Sequence, residues 1–177
     1  NARGYQLTIV EEKNFLLEKY YGVPPVSMEQ FVEKYREIAR KLRPYVSDVS
    51  ALLFKELDQG KRVLYEGAQG VLLDVDYGTY PYVTSSHTLP SQAALGLGTR
   101  IPKDTLFIGI MKAYSTRVGE GPFPTELKDA MGEKLRETGH EFGTTTGRPR
   151  RCGWLDLMAV KYALRVSGIK NIALTKS

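Results

Sequence analysis

Leu106-Phe107-Ile108-Gly109-Ile110-Met111 is an apolar run of strand length that stops at Lys112, where the chain enters the segment Lys112–Gly121. Two other short runs have the same form. Arg62-Val63-Leu64-Tyr65-Glu66 leads into Gly67-Ala68-Gln69-Gly70, and Asn171-Ile172-Ala173-Leu174-Thr175 leads into Lys176. Between the later two, Leu155, Met158, Tyr162 and Val166 recur at helical spacing, with Lys161 and Arg165 in the later turns and Gly168 as the stop. Short apolar strands separated by helices and Gly-rich loops predict an α/β fold with a largely parallel central sheet flanked by helices. In such sheets ligands gather at the carboxyl ends of the strands. The segments 67–70 and 112–121 and Lys176 therefore come first as candidate site loops.

Upstream of Arg62 the texture is helical. Residues 1–26 read as a helix-poor start followed by a short amphipathic piece (Phe15, Leu16, Leu17, Tyr20) closed by Gly22 and Pro24-Pro25. Ser27 offers an N-cap, with Gln30 placed for a capping box. Phe31, Tyr35, Ile38 and Leu42 follow at helical spacing until Pro44. A further helix carries Val49, Leu52, Leu53 and Leu57 and stops at Gly60. Both apolar stripes read most simply as core faces. Residues 1–177 are expected to be part of one α/β domain, mostly helical over 1–60 and built of sheet and substrate loops over 61–177.

Composition narrows the class. The chain has 177 residues, 42% hydrophobic and 25% charged, enough for one domain or a large piece of one. The net charge of +5 favours anionic partners only mildly, and Lys and Arg are spread rather than blocked. An RNA-binding domain ranks last, because the arginines are concentrated in one loop rather than along a face. Cys152 is the single cysteine, so no disulfide can form within the chain, and its expected role is a small packed side chain. No apolar run is long enough to span a bilayer. A cytoplasmic protein is expected.

The segment richest in chemistry is Gly143-Thr144-Thr145-Thr146-Gly147-Arg148-Pro149-Arg150-Arg151. It sets three hydroxyls and three guanidiniums among glycines. A guanidinium presents a planar fork that fits carboxylate and phosphate. Such a loop suits one anion, or two side by side; a solvated basic loop is the plainer alternative. Gln69 lies among small residues at a strand end, where its amide can donate and accept at once toward a heterocycle edge. Asp74 and Asp76 would share one face of an extended segment, but pairing with loop amides explains them more simply than a metal. Thr84, Ser85 and Ser86 are candidate phosphate donors. His87 and His140 have no second His or Cys at metal-ligand spacing and read as loop residues.

Five segments together carry a resemblance: Tyr65–Gly70, Gly78–Ser86, Ala113–Gly119, Gly121–Leu127 and Phe142–Asp156. In this order and spacing they resemble the adenylosuccinate synthetases, from about Tyr65 to Lys176. The resemblance implies a P-loop-NTPase-like fold, incomplete in this chain, and a GTP-dependent ligase of purine synthesis. GTP would phosphorylate the 6-oxygen of IMP with Mg2+ present, and the amine of L-aspartate would displace phosphate to give adenylosuccinate. Gln69 would touch the purine 6-oxygen and act in catalysis, Thr84 would hold the IMP phosphate, and Val118 would line the ribose site. Arg148 would serve IMP and aspartate. Thr144, Thr145 and Thr146, with Arg150, would grip the aspartate carboxylates. Arg150, Lys176 and Ser177 would serve GTP, Lys176 by stacking its stem on guanine. The full-length protein would be a homodimer that binds neither nucleic acid nor membrane.

The family's Gly-rich phosphate loop, with its catalytic Asp and Lys and its magnesium ligands, has no counterpart in these residues, and neither has the catalytic His that follows it. The family's Thr-Lys-x-Asp guanine motif is cut at Thr175-Lys176-Ser177. The expectation is therefore an internal fragment, inactive alone, with Mg2+ ligands elsewhere. The alternative is a non-catalytic purine-nucleotide-binding module.

Overall fold

The computed structural model of the chain describes residues 2–144 and 147–176, with the backbone alone for 2–7. The chain divides into two compact units, Asn1–Asp48 and Val49–Ser177.

In the first unit, helix α1 runs over Ala2–Lys19. The start is helical rather than helix-poor. Residues 2–19 contain no Pro or Gly breaker apart from Gly4, and the end comes where Gly22 takes a left-handed φ of 63° before Pro24-Pro25. Asn14 then clamps the turn, its amide donating to the Val26 carbonyl at 2.9 Å and its Oδ1 accepting from Val26 N at 2.7 Å. Helix α2, Met28–Leu42, starts as expected at Ser27, whose Oγ accepts from Gln30 N at 3.4 Å. It tightens into a 3-10 turn over Arg43–Tyr45, at Pro44.

The second unit opens with helix α3, Val49–Asp58. The apolar stripes of α2 and α3 have the predicted spacing but are not buried faces. Tyr35 is 54% exposed and Leu52 48%. Few apolar side chains are fully covered; among the described ones Cys152 is, and Val10, Leu89 and Tyr114 nearly so. A short helix α4 spans Gln92–Leu97.

The sheet is in two pieces. Strand β1, Ile108–Lys112, pairs in parallel with the last strand, β4, Asn171–Thr175, in the register Ile108↔Asn171 through Lys112↔Thr175. The crossover between them contains helix α5, Ala130–Thr138, and helix α6, Leu157–Ser167. Asp129 caps α5 by accepting from Met131 N and Gly132 N, and Asp156 caps α6 through Met158 N and Ala159 N. Gly168 ends α6 at φ 67°, as its position predicted. The fold is thus mixed α/β with a parallel pair flanked in sequence by helices, which agrees with the expected class.

Two expectations about strands also change. Arg62–Glu66 is not a strand: no described segment pairs with it, and Leu64 is 92% exposed. A strand exists only through its hydrogen-bonded neighbour, and no local pattern supplies one. Conversely, 112–121 is not all loop. Tyr114–Arg117 forms strand β2, antiparallel to strand β3, Arg151–Trp154. Among the described helices none is long and apolar enough to cross a membrane.

Candidate functional site

The parallel register brings the carboxyl ends of β1 and β4 side by side, and with them Lys112 and Lys176. Both ammonium groups converge on Glu141, a residue just after α5 whose side chain has no solvent exposure. Lys112 Nζ donates to both carboxylate oxygens at 2.8 Å, and Lys176 Nζ to Oε1 at 3.1 Å. Tyr114, the first residue of β2, donates its hydroxyl to Oε1 at 2.6 Å, and Arg150 Nη1 donates to Oε2 at 2.8 Å. Burial alone would raise this carboxyl, but the four donors outweigh it and hold its pKa at about 2, from an ordinary 4.5. Burial and the adjoining Glu141 charge push the Tyr114 hydroxyl the other way, well above its usual range.

Glu141 also roots the Thr- and Arg-rich segment, which is a hairpin. Arg150 N donates to the Glu141 carbonyl at 2.9 Å, Phe142 and Pro149 bridge, and Gly143 N donates to the Arg148 carbonyl at 2.8 Å. Gly147 closes the tip at φ 63°, with its N–H on the Gly143 carbonyl. Thr144 and Arg148 are exposed near that tip. Thr145 and Thr146, assigned by the resemblance to aspartate, and Ser177, assigned to GTP, lie outside the described residues. The two remaining arginines point elsewhere. Arg150 faces Glu141 with 28% of its side chain exposed. Arg151 makes a bidentate pair with Glu126, Nε to Oε1 at 2.7 Å and Nη2 to Oε2 at 2.6 Å, and reaches the carbonyls of Gly119 and Gly121. The Arg151 fork is the main reason the Glu126 carboxyl lies below its usual value.

A second cluster forms where 67–70 meets 84–88. Gln69 takes a left-handed φ of 65°, uncommon for a residue with a Cβ. Its Nε2 donates to Thr84 Oγ1 at 3.0 Å, so the two residues singled out for the purine oxygen and the phosphate touch each other. Thr88 ties the same segments, its hydroxyl donating to the Gly70 carbonyl at 2.9 Å and its N–H to Asp74 Oδ2 at 2.7 Å. Asp74 is wholly buried and also accepts from Asp76 N and Tyr77 N, with His87 Nδ1 at 3.4 Å. Burial would raise its carboxyl, yet these amides keep it at about 2. Its lone pairs are used by the loop, as the simpler reading expected. Among the described residues no group of three His, Cys, Asp or Glu side chains could hold a metal ion.

Arg117 joins this cluster to the 117–122 turn. Its Nη2 donates to Thr79 Oγ1 at 3.0 Å and the Tyr82 carbonyl at 3.1 Å, and its Nε to the Glu120 carbonyl at 2.8 Å. Val118, beside it, is 49% exposed and available to a ligand. Tyr162 on α6 donates to the Tyr77 carbonyl at 2.6 Å and fixes the back of the loop. Sequence reasoning missed Glu141, Lys112 and Tyr114. The Glu carries no motif of its own, and only the β1–β4 register gathers its partners.

Known proteins give these clusters a context. The family model for adenylosuccinate synthetase matches residues 5–177. The adenylosuccinate synthetase of Geotalea daltonii is 60% identical over 168 residues, and that of Caldanaerobacter subterraneus subsp. tengcongensis 56% over 167; each match covers 94% of this chain and 39% of the relative. The structure of fully ligated adenylosuccinate synthetase from Plasmodium falciparum superposes with a TM-score of 0.84 at 41% identity, covering 99% of this chain and 41% of that one. The chain spans about two fifths of the length of the relatives it matches. It belongs to the adenylosuccinate synthetase family.

Proposed function

We propose that this chain is the substrate-loop portion of a GTP-dependent ligase that joins L-aspartate to IMP to give adenylosuccinate. In this reading GTP phosphorylates the 6-oxygen of IMP. The aspartate amine then attacks C6, and the oxygen leaves as phosphate. The observation that carries it is the family match across residues 5–177. The geometry supports it in two places. Gln69 and Thr84, both proposed to meet IMP, lie together and share a hydrogen bond at 3.0 Å. The hairpin presents Thr144 and Arg148 near an exposed tip while its root is fixed at Glu141.

The roles are those that the family resemblance implies. Gln69 Nε2 donates to the 6-oxygen and gains strength as charge develops there, a preorganised donor rather than a solvent one. Thr84 Oγ holds the IMP phosphate, and Val118 packs on the ribose. Arg148 and Thr144, with Thr145 and Thr146, orient the aspartate carboxylates so that the amine faces C6. Arg150 sits between aspartate and GTP, and the stem of Lys176 packs on guanine with Ser177 beside it. Mg2+ belongs to the reading as a cofactor of phosphoryl transfer held by residues other than the described ones. Homodimeric assembly and a cytoplasmic location belong to it on the strength of the family resemblance.

The exposure of the sheet supports the view that these residues work within a larger protein. Parallel pairs in α/β folds are covered on both faces, whereas Ile110 is 74% and Leu174 54% exposed. The experiment is adenylosuccinate formation from IMP, aspartate and GTP by the full-length protein that carries this chain. Product that requires all three substrates supports the reading. Binding of IMP without product supports the non-catalytic module instead.

A further inference from the structure

Glu141 is the most completely buried ionisable side chain with a role left unexplained. Its carboxylate takes donors from four separate segments: Lys112 at the end of β1, Tyr114 at the start of β2, Arg150 on the hairpin and Lys176 after β4. Three cations surround one anion, so the cluster keeps a net charge of +2 (three minus one). One carboxylate cannot neutralise three cations, but it holds together groups that would otherwise repel one another. The cations themselves remain partly open, with 26%, 28% and 41% of the Lys112, Arg150 and Lys176 side chains exposed, while the acid beneath them has none. A buried, fully hydrogen-bonded carboxylate has no access to substrate protons, which argues against acid–base work.

We propose that Glu141 is a positioning residue that sets Arg150 and Lys176 from one point, tying the anion-binding hairpin to the nucleotide end of β4. The inference rests on the ligase reading above. Arg150 is held by side chain and by backbone, since its N–H also meets the Glu141 carbonyl at 2.9 Å. Lys176 is held twice as well, by the carboxylate and by the Gly139 carbonyl two residues earlier. One short stretch, 139–141, therefore fixes a group proposed for aspartate and a group proposed for guanine. A side chain here that cannot accept on both oxygens disturbs both sites together.

The test is steady-state kinetics of full-length Glu141→Gln beside wild type and Asp129→Ala. The amide keeps the shape but turns one acceptor into a donor facing a cation. The KM values for aspartate and GTP are expected to rise together by about tenfold, the KM for IMP by no more than about threefold, since of its proposed contacts Arg148 alone rides on the hairpin. Asp129→Ala removes the α5 cap, lowers Tm and leaves all three KM values unchanged. If E141Q does not fold, Glu141→Asp keeps the charge at shorter reach and is read by the same split. A lower Tm with unchanged KM values, or a rise for one of the two substrates alone, overturns the inference and leaves the ligase reading standing. A wild-type protein that makes no adenylosuccinate overturns both.

Discussion

Gln69 offers a substitution pair that separates backbone strain from chemistry. At φ 65° any residue with a Cβ is strained, by roughly 1–2 kcal/mol. Its exposed hydrogen bond to Thr84 contributes at most about 1 kcal/mol. Gln69→Ala keeps the strain and loses the bond, and should destabilise by about 0.5–1 kcal/mol. Gln69→Gly loses the same bond but relieves the strain, against an extra unfolded-state entropy of about 0.5–1 kcal/mol, so it should be close to neutral. The glycine variant is therefore expected to be the more stable of the two. Turnover should not follow that order. Losing a donor aimed at developing charge costs about 100- to 1,000-fold in kcat, and both variants lose it equally. Urea unfolding midpoints and kcat with saturating IMP, aspartate and GTP provide the two scales. If activity recovers in the glycine variant in step with its stability, or if either variant changes only the KM for IMP, Gln69 acts through loop shape and its catalytic role is wrong.

Other expectations are more direct. Arg148→Lys should raise the KM for aspartate at least tenfold, on the order of 1.4 kcal/mol, because a point charge cannot replace the planar fork; Arg36→Lys, on the exposed face of α2, should leave it unchanged. Gly153→Ala should destabilise by about 1–3 kcal/mol in thermal or urea unfolding, because the added methyl would run into the Thr125 carbonyl behind β3. Stability should also fall in acid. Glu141 and Asp74 have folded pKa values of about 2, below their ordinary 4.5 and 3.8, so they stabilise the fold above those ordinary values. That contribution is lost as pH drops from 4.5 toward 2, and urea midpoints measured across this window should decline. Midpoints that rise or stay level there would contradict the buried-carboxylate account.

Helices with strong local signals are legible in the amino-acid sequence alone: α2 from Ser27 and Pro44, α6 from its stripe and Gly168. The parallel pair β1–β4 is legible as two apolar runs, because central strands are apolar on both faces. Strands that depend on a distant partner are not. Tyr114–Arg117 reads as part of a polar loop until Arg151–Trp154 lies beside it, and Arg62–Glu66 reads as a strand although nothing described pairs with it. Helix α5 escapes a sequence reading even though Asp129 and Glu133 form a capped first turn, since its interior Gly132 weakens the pattern. The site shows the same division. Gln69, Thr84 and the hairpin arginines carry chemistry in their residue types, whereas Glu141 acquires meaning only when four segments meet around it.

The central claim is that the 6-oxygen of IMP departs as phosphate after GTP has phosphorylated it. The most direct measurement is the fate of that oxygen when the full-length protein turns over IMP labelled with 18O at position 6, in the presence of GTP and aspartate. The account predicts label in the inorganic phosphate, one labelled oxygen for each adenylosuccinate formed. Label released to water, with unlabelled phosphate, would contradict it.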